Sequence, residues 1–295
     1  MTDPAVTDPG LAGAERWTPS ERELARRAVR RRLRRRSSAV AAIAVVVVFG
    51  GAIAGLVSTP GWTAVRQLFF DLDVAGDSIG GIASHFWINV KLFVICEVLI
   101  LAVGLGVALV RVSIAPVLAP LRIAAVVYTD VFRGIPTVLL VLLLGFGVPA
   151  LQLAGLTNSR TVWAGVALVL SYGAYVAEVF RAGIESVHPS QIASAEALGL
   201  GRGQTMRFVV VPQAVRRVVP PLLNDFISLQ KDTALVSVLG IFDAVFFAQD
   251  YSNFNFNYTP YVVVAAFFIA LTVPTARLTD WLQARTRERE QVGSR

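Results

Sequence analysis

Between two apolar runs the chain carries SQIASAEALGLGRGQTMRFVVVP, residues 190–212, a polar and small-residue-rich block that no simple bundle of membrane spans needs. Gly199 stands thirteen residues before Pro212, where the next apolar run begins. Flanked by Leu198 and Leu200, Gly199 allows a helix to stop and reverse, because glycine accepts positive φ at a helix C-terminus. His188-Pro189-Ser190 supplies a start signal for the short helix before it, with Ser190 as the expected N-cap. Ala195, Ala197, Leu198 and Leu200 then form a small apolar surface suited to a groove on another protein. The block is expected to be a short helix–turn–helix offered to a soluble partner.

Working outward, the composition is that of a membrane protein. Of 295 residues, 55% are hydrophobic and only 16% charged, with a mean hydropathy of +0.63, whereas soluble domains carry roughly 25% charged residues. The single cysteine, Cys96, lies in an apolar run and reads as packing. It leaves no disulfide framework or cysteine metal site, and two histidines leave no histidine-rich one. Apolar runs define about six transmembrane helices, near 39–57, 88–110, 123–151, 161–180, 218–247 and 261–282, since about 20 apolar residues cross the hydrocarbon core. The first is too long, and its charged leader too extended, for a cleaved signal peptide.

The arginines and lysines set the orientation. With the N-terminus inside, residues 1–38, 111–122, 181–217 and 283–295 hold twenty-one basic residues, against two in the opposite connections. Both termini are therefore expected in the cytoplasm. The net charge of +7 follows this pattern, and the run Arg26–Arg36 reads as a topology anchor on anionic lipid rather than a nucleic-acid surface. The domain reading is a disordered basic tail over 1–38, an extra N-terminal span with an outer loop over 39–87, a core over 88–282 containing the cytoplasmic segment 186–212, and a cytoplasmic tail over 283–295. Residues 1–20, rich in Pro and Gly, read as disorder, with a short basic helix starting at Glu15 or Ser20. Gly51 and Gly55, four apart in the first span, permit close helix packing.

The later spans carry polar residues. Arg133 and Pro136 fall in the third, Glu178 in the fourth, and Asn224, Lys231, Asp232 and Thr233 in the fifth. A charge at bilayer depth costs about 2.5–3.5 kcal/mol on insertion scales, so such groups face an interior or a water-filled path. These seven are the candidates for a translocation path or a permease–permease interface.

Residues 190–212 resemble the EAA loop of ABC-importer permeases, whose pattern runs Glu-Ala-Ala, three residues, Gly, nine residues, Ile-x-Leu-Pro. Here Ala193-Ser194-Ala195, Gly199 and Val209-Val210-Val211-Pro212 keep that spacing. The leading Glu is absent: Ala193 replaces it, and Glu196 is the nearest acid. Three further stretches resemble the polar-amino-acid branch, namely YTDVFRGIPTVLLVLLLGFG (128–147), SYGAYVAEVFRAGIESV (171–187) and PPLLNDFISLQKDTALVSVLG (220–240). Leu140 stands where related permeases often have Gln. The resemblance covers about Asn89 to Arg285.

The resemblance implies an all-α integral membrane protein with a five-helix type I importer core, to which the first span is an addition. It implies a bacterial cytoplasmic-membrane permease for glutamate, glutamine or a basic amino acid. Its partners would be two ATPase subunits, a second identical or different permease subunit, an extracytoplasmic binding protein and membrane lipid, with no nucleic acid. Ser190, Ala193, Ala195, Glu196, Ala197, Leu198, Gly199, Leu200 and Pro212 would form the ATPase-coupling loop. ATP and Mg²⁺ would sit on the partners, since this chain has no GxxxxGK[ST] loop and Gly199–Gly203 follows no strand. No catalytic residue or metal site is expected. The competing reading, a self-sufficient secondary transporter or channel, expects internal repeats, and no second copy of the 190–233 pattern is present.

Overall fold

The computed structural model describes residues 20–293, and the disorder expected for 1–19 lies outside them. The chain divides into two compact units, one ending at Ala64 and one beginning at Val65. In the first, helix α1 (Glu21–Val57) starts at Ser20, whose hydroxyl accepts the Glu23 N–H at 3.4 Å. The basic run Arg26–Arg36 is therefore helical, following the expected start at Ser20, and is continuous with the first apolar span rather than part of a disordered 1–38 tail. A capped start followed by good helix formers leaves no break between them.

The second unit is built of helices joined by turns, with no strand among its described residues. After the short amphipathic α2 (Trp62–Phe69), α3 runs from Leu72 to Val112, so the outer loop expected over 58–87 is mostly helix. Asp71 caps α3, accepting from the Asp73 and Val74 N–H groups at 3.0 and 3.3 Å. Its own N–H donates to Thr259 Oγ1 at 3.1 Å, tying this start to that of α11 (Thr259–Gly293). Between them lie α4 (Ala119–Gly134), α5 (Thr137–Ala150), α6 (Arg160–Glu185), α7 (Pro189–Ala197), α8 (Arg202–Thr205), α9 (Val211–Asp232) and α10 (Ala244–Asn255). The expected cytoplasmic tail 283–295 continues α11 as far as Gly293.

Two expected spans are broken. The run 123–151 is not one helix: α4 and α5 meet at 103°. Pro136 has no N–H to donate and drives Ile135 into extended backbone at φ −93°, ψ 128°, which ends α4. The run 218–247 passes from α9 through a 3₁₀ stretch at Thr233–Leu239 to Gly240, at φ +72°, and restarts as α10 with a 49° bend. Four described helices are long and apolar enough to cross a membrane unaided, and the number is six if each bent pair is one span.

The core is built where α3 and α6 pack together, around Leu92, Cys96, Ile100, Leu168 and Val176, with Leu140 and Val141 of α5 and Leu229 of α9 closing it. Small residues set that approach: a Cβ at Gly104 would collide with the Val176 side chain. A smaller cluster, Ile82, Phe86, Ala244, Ala248 and Val264, joins α3 to α10 and α11. Beside it, buried Asn89 donates to Asp243 Oδ2 at 2.8 Å and accepts the Ala244 N–H at 3.3 Å. Asp243 also caps α10 by accepting the Phe246 N–H at 2.8 Å. This pair holds the restart of the broken span against α3.

Candidate functional site

The segment after α6 folds as the sequence pattern suggests, with different end groups. His188, not Ser190, is the N-cap of α7: its Nδ1 accepts the Ser190 N–H at 3.2 Å, and Ser190 lies one position inside the helix. Pro189 occupies the first helical position, where a missing N–H costs nothing. At the other end Gly199 has φ +82°, with Gly199 N–H bonded to Glu196 O at 2.9 Å and Leu200 N–H to Ala195 O at 3.1 Å. Those two bonds are a Schellman C-cap, and they require the left-handed conformation that glycine adopts without strain.

The exposed face of this element differs from the expected one. Ala193, Glu196, Ala197 and Leu198 are exposed, Leu198 by 83%. Ala195, assigned to the docking surface from sequence, is buried at 4% and turned inward, and Leu200 is half-buried. For Ala193 and Ala197 the contrast follows helix geometry, since residues two positions from Ala195 point about 160° away from it. The segment is tied to α9 by a hydrogen bond from Gln213 Nε2 to Gln191 Oε1 and another from Arg217 Nη1 to the carbonyl of Ser186. Exposed Pro212 lies in the first turn of α9 behind a π-helical turn, Met206–Val210. The Val211 N–H reaches back five residues to Met206 O, and Pro212, which has no N–H of its own, leaves the Phe208 carbonyl without its helical donor.

A second constellation lies within the spans. Glu178 of α6 accepts hydrogen bonds from two arginines and lies near a third. Arg111 Nη1 reaches Oε2 at 2.6 Å, Arg181 binds both carboxyl oxygens, and Arg133 Nη1 stands at 4.0 Å. Arg111 also accepts support from α4, donating to buried Thr129 Oγ1 at 3.0 Å. Sequence reasoning counted Arg111 as a loop residue, but it ends α3 and pairs across helices. A cavity of about 400 Å³ opens beside this group, walled by Arg133, Tyr175, Glu178, Arg217, Pro221 and Asp225.

The other candidates are not gathered there. Asp232 accepts from Tyr172 Oη at 2.8 Å. Thr233 is buried and its hydroxyl returns to Gln230 O at 2.8 Å, so it is occupied within its own helix. Asn224 and Lys231 are exposed, Lys231 without an ion pair among the described residues. Pro136 caps α5 at the bend, and Leu140, where related permeases often have Gln, is a core residue. Sequence reasoning missed Asn89 and Asp243 as members of an arrangement. Only Asp243 had a local signal, an N-cap aspartate ahead of the helical run 244–255.

Several apolar spans, two of them bent, around a helix–turn–helix with an exposed apolar tip define a multi-pass membrane transport subunit. The chain belongs to the family of binding-protein-dependent transport system inner membrane components, whose profile matches residues 112–288. It is thereby a permease component of the bacterial cytoplasmic membrane. It is 34% identical over 178 residues to the arginine transport system permease protein ArtQ of Bacillus subtilis strain 168, covering 60% of this chain and 79% of that one. It is 33% identical over 200 residues to the glutamate transport system permease protein GluC of Corynebacterium glutamicum, covering 64% and 86%. The crystal structure of an amino acid ABC transporter with histidines superposes with a TM-score of 0.67 at 29% identity, over 74% of this chain and 100% of that one.

Proposed function

We propose that this chain is the permease subunit of an ATP-binding-cassette importer for a polar amino acid, with both termini in the cytoplasm. The amino-acid class is supported by the arginine and glutamate permeases to which it is similar. In this reading two permease subunits, identical or different, enclose the path. Two ATPase subunits hold ATP and Mg²⁺ and grip the 186–212 segment, and an extracytoplasmic binding protein delivers the solute. The observation that carries the coupling role is the rigid turn at Gly199, with its left-handed backbone and doubly bonded cap. It presents Ala193, Glu196, Ala197 and Leu198 outward on an element bonded to α9. A helix pair braced in this way moves as a lever rather than flexing. Arg133, Pro136, Glu178, Asn224, Lys231, Asp232 and Thr233 are assigned to the path or the permease interface, with Thr233 and Pro136 acting through the helices they shape.

The test is uptake by the full complex in liposomes, with the ATPase and binding protein from neighbouring genes. Gly199→Asp strains the left-handed turn and puts a charge beside Leu198. It is expected to abolish uptake and coupled ATP hydrolysis while membrane insertion persists. Wild-type uptake by that variant refutes the coupling role.

A further inference from the structure

Residues two apart on a helix point about 160° away from each other, and α6 thereby walls two cavities. Glu178 and Ala182 line the smaller one beside the arginine group, whereas Phe180 and Ile184 line a larger one of about 940 Å³. The larger cavity lies where the spans meet the 186–212 segment. Its walls include Leu109 near the end of α3, Ile184 next to the end of α6, and Val215 near the start of α9. Met206, from the π-helical turn behind α8, closes it. Leu109, Val215 and Met206 are 55%, 49% and 41% exposed, so the trough is apolar and open.

The charge at its rim is of one sign. Arg202 is the single ionisable residue in the wall, and it is exposed with no ion pair among the described residues. Ala115, also in the wall, accepts a hydrogen bond on its carbonyl from Arg122 Nη2 at 3.2 Å. The Arg122 Nε is buried without a hydrogen-bond partner, and that guanidinium has no ion pair among the described residues either. Two guanidinium groups without a carboxylate therefore flank an apolar trough at the end of the spans. An apolar helix of another protein leaves both charges uncompensated, and a free inorganic anion leaves the trough unfilled. An amphiphile with a negative headgroup satisfies both, and basic pockets between helices on the cytoplasmic side suit such lipids.

We propose that this trough binds an anionic phospholipid of the inner leaflet, an acyl chain along Leu109, Ile184 and Val215 and the phosphate at Arg202 and Arg122. The choice of leaflet rests on the importer reading, which places the 186–212 segment in the cytoplasm. The lipid joins α3, α6 and α9 to the turn behind that segment. It thus braces the coupling lever from the side of α6 opposite the arginine group.

The experiment uses the permease–ATPase complex in nanodiscs of phosphatidylcholine. A trace of phosphatidylglycerol carries a photoactivatable diazirine in one acyl chain. After illumination, adducts mapped by peptide mass spectrometry are expected around Leu109, Ile184, Met206 and Val215. Half-suppression by unlabelled phosphatidylglycerol measures its preference over phosphatidylcholine, expected to be about thirtyfold for two basic contacts. Arg122→Gln and Arg202→Gln are each expected to cut that preference about fivefold, and the double variant to abolish it. Val215→Trp, which fills the trough and keeps both arginines, is expected to remove the adducts. Co-elution with the ATPase verifies that the variants fold, and the wild-type competition decides without them. Equal competition by both lipids, or an unchanged preference in the double variant, reduces the trough to ordinary lipid contact and overturns the site. Suppression by inorganic phosphate beyond that by chloride at equal ionic strength overturns it in favour of a simple anion. Absence of adducts from the wild-type complex overturns it too, cover by a protein partner included. Each of these outcomes leaves the importer reading standing. For the leaflet, Leu198→Cys in a Cys96-free background is expected to resist an impermeant thiol reagent added to intact cells. Labelling there overturns the cytoplasmic placement and the inner leaflet with it.

Discussion

Asp243→Ala is expected to destabilise the permease substantially, because one carboxylate performs two tasks. Its Oδ1 caps α10 through the Phe246 N–H at 2.8 Å, and its Oδ2 accepts from Asn89 Nδ2 at 2.8 Å. Losing an Asp N-cap to Ala costs about 1 kcal/mol. The Asn89 amide, 2% exposed, is then left with an unpaired donor inside the protein, at about 1–3 kcal/mol. Together these come to about 2–4 kcal/mol. Cys96 provides the probe: it is the single cysteine, 1% exposed, and sits on α3 with Asn89. Its alkylation by a fluorogenic maleimide during heating reports opening of the α3–α6 core. At about 2–4 °C per kcal/mol for a chain of this size, the midpoint is expected to fall by about 5–15 °C. Asp243→Asn keeps an acceptor for the cap and is expected to lose less. Combining Asn89→Ala with Asp243→Ala costs less than the sum of the single losses, since each already removes the shared bond. A midpoint within a degree of wild type, or strict additivity in the double variant, refutes the account of this pair.

Glu178→Gln removes the carboxylate that Arg111 and Arg133 share and leaves both charges without an ion pair among the described residues. Because the group is only partly buried, stability in detergent is expected to drop by about 1.5–3 kcal/mol, the loss for one hydrogen bond between charged groups, and an unchanged unfolding midpoint contradicts the hub. In a Cys96-free background, a cysteine at Asn224 should react with a membrane-impermeant thiol reagent and one at Thr233 should not, since the first is exposed and the second buried; equal labelling rejects the assignment. A chain starting at Val65 keeps the Asp71 cap and its bond to Thr259, so it should assemble and transport, whereas one starting at Asp77 should unfold at lower temperature. Loss of transport by an assembled Val65 variant places α1 in the mechanism.

What the sequence determined by itself was local or statistical. Apolar runs long enough to span, the basic residues concentrated in alternate connections, and the spacing of Ala193-Ser194-Ala195, Gly199 and Pro212 are properties of near neighbours. They therefore survive in one dimension. The left-handed turn at Gly199 was legible for this reason, and the bend at Pro136 could have been, because a proline restricts the residue before it wherever it stands. The tertiary structure decided the pairings between distant positions. Asn89 meets Asp243 across 154 residues, and Arg111 meets Glu178 across 67. Nothing in either stretch of chain selects its partner. Facing is also a tertiary property: Ala195 turns inward among exposed neighbours, and Thr233 spends its hydroxyl on its own helix. A side chain's exposure depends on which helix packs against it, and that is settled only when α3, α6 and α9 close around one core.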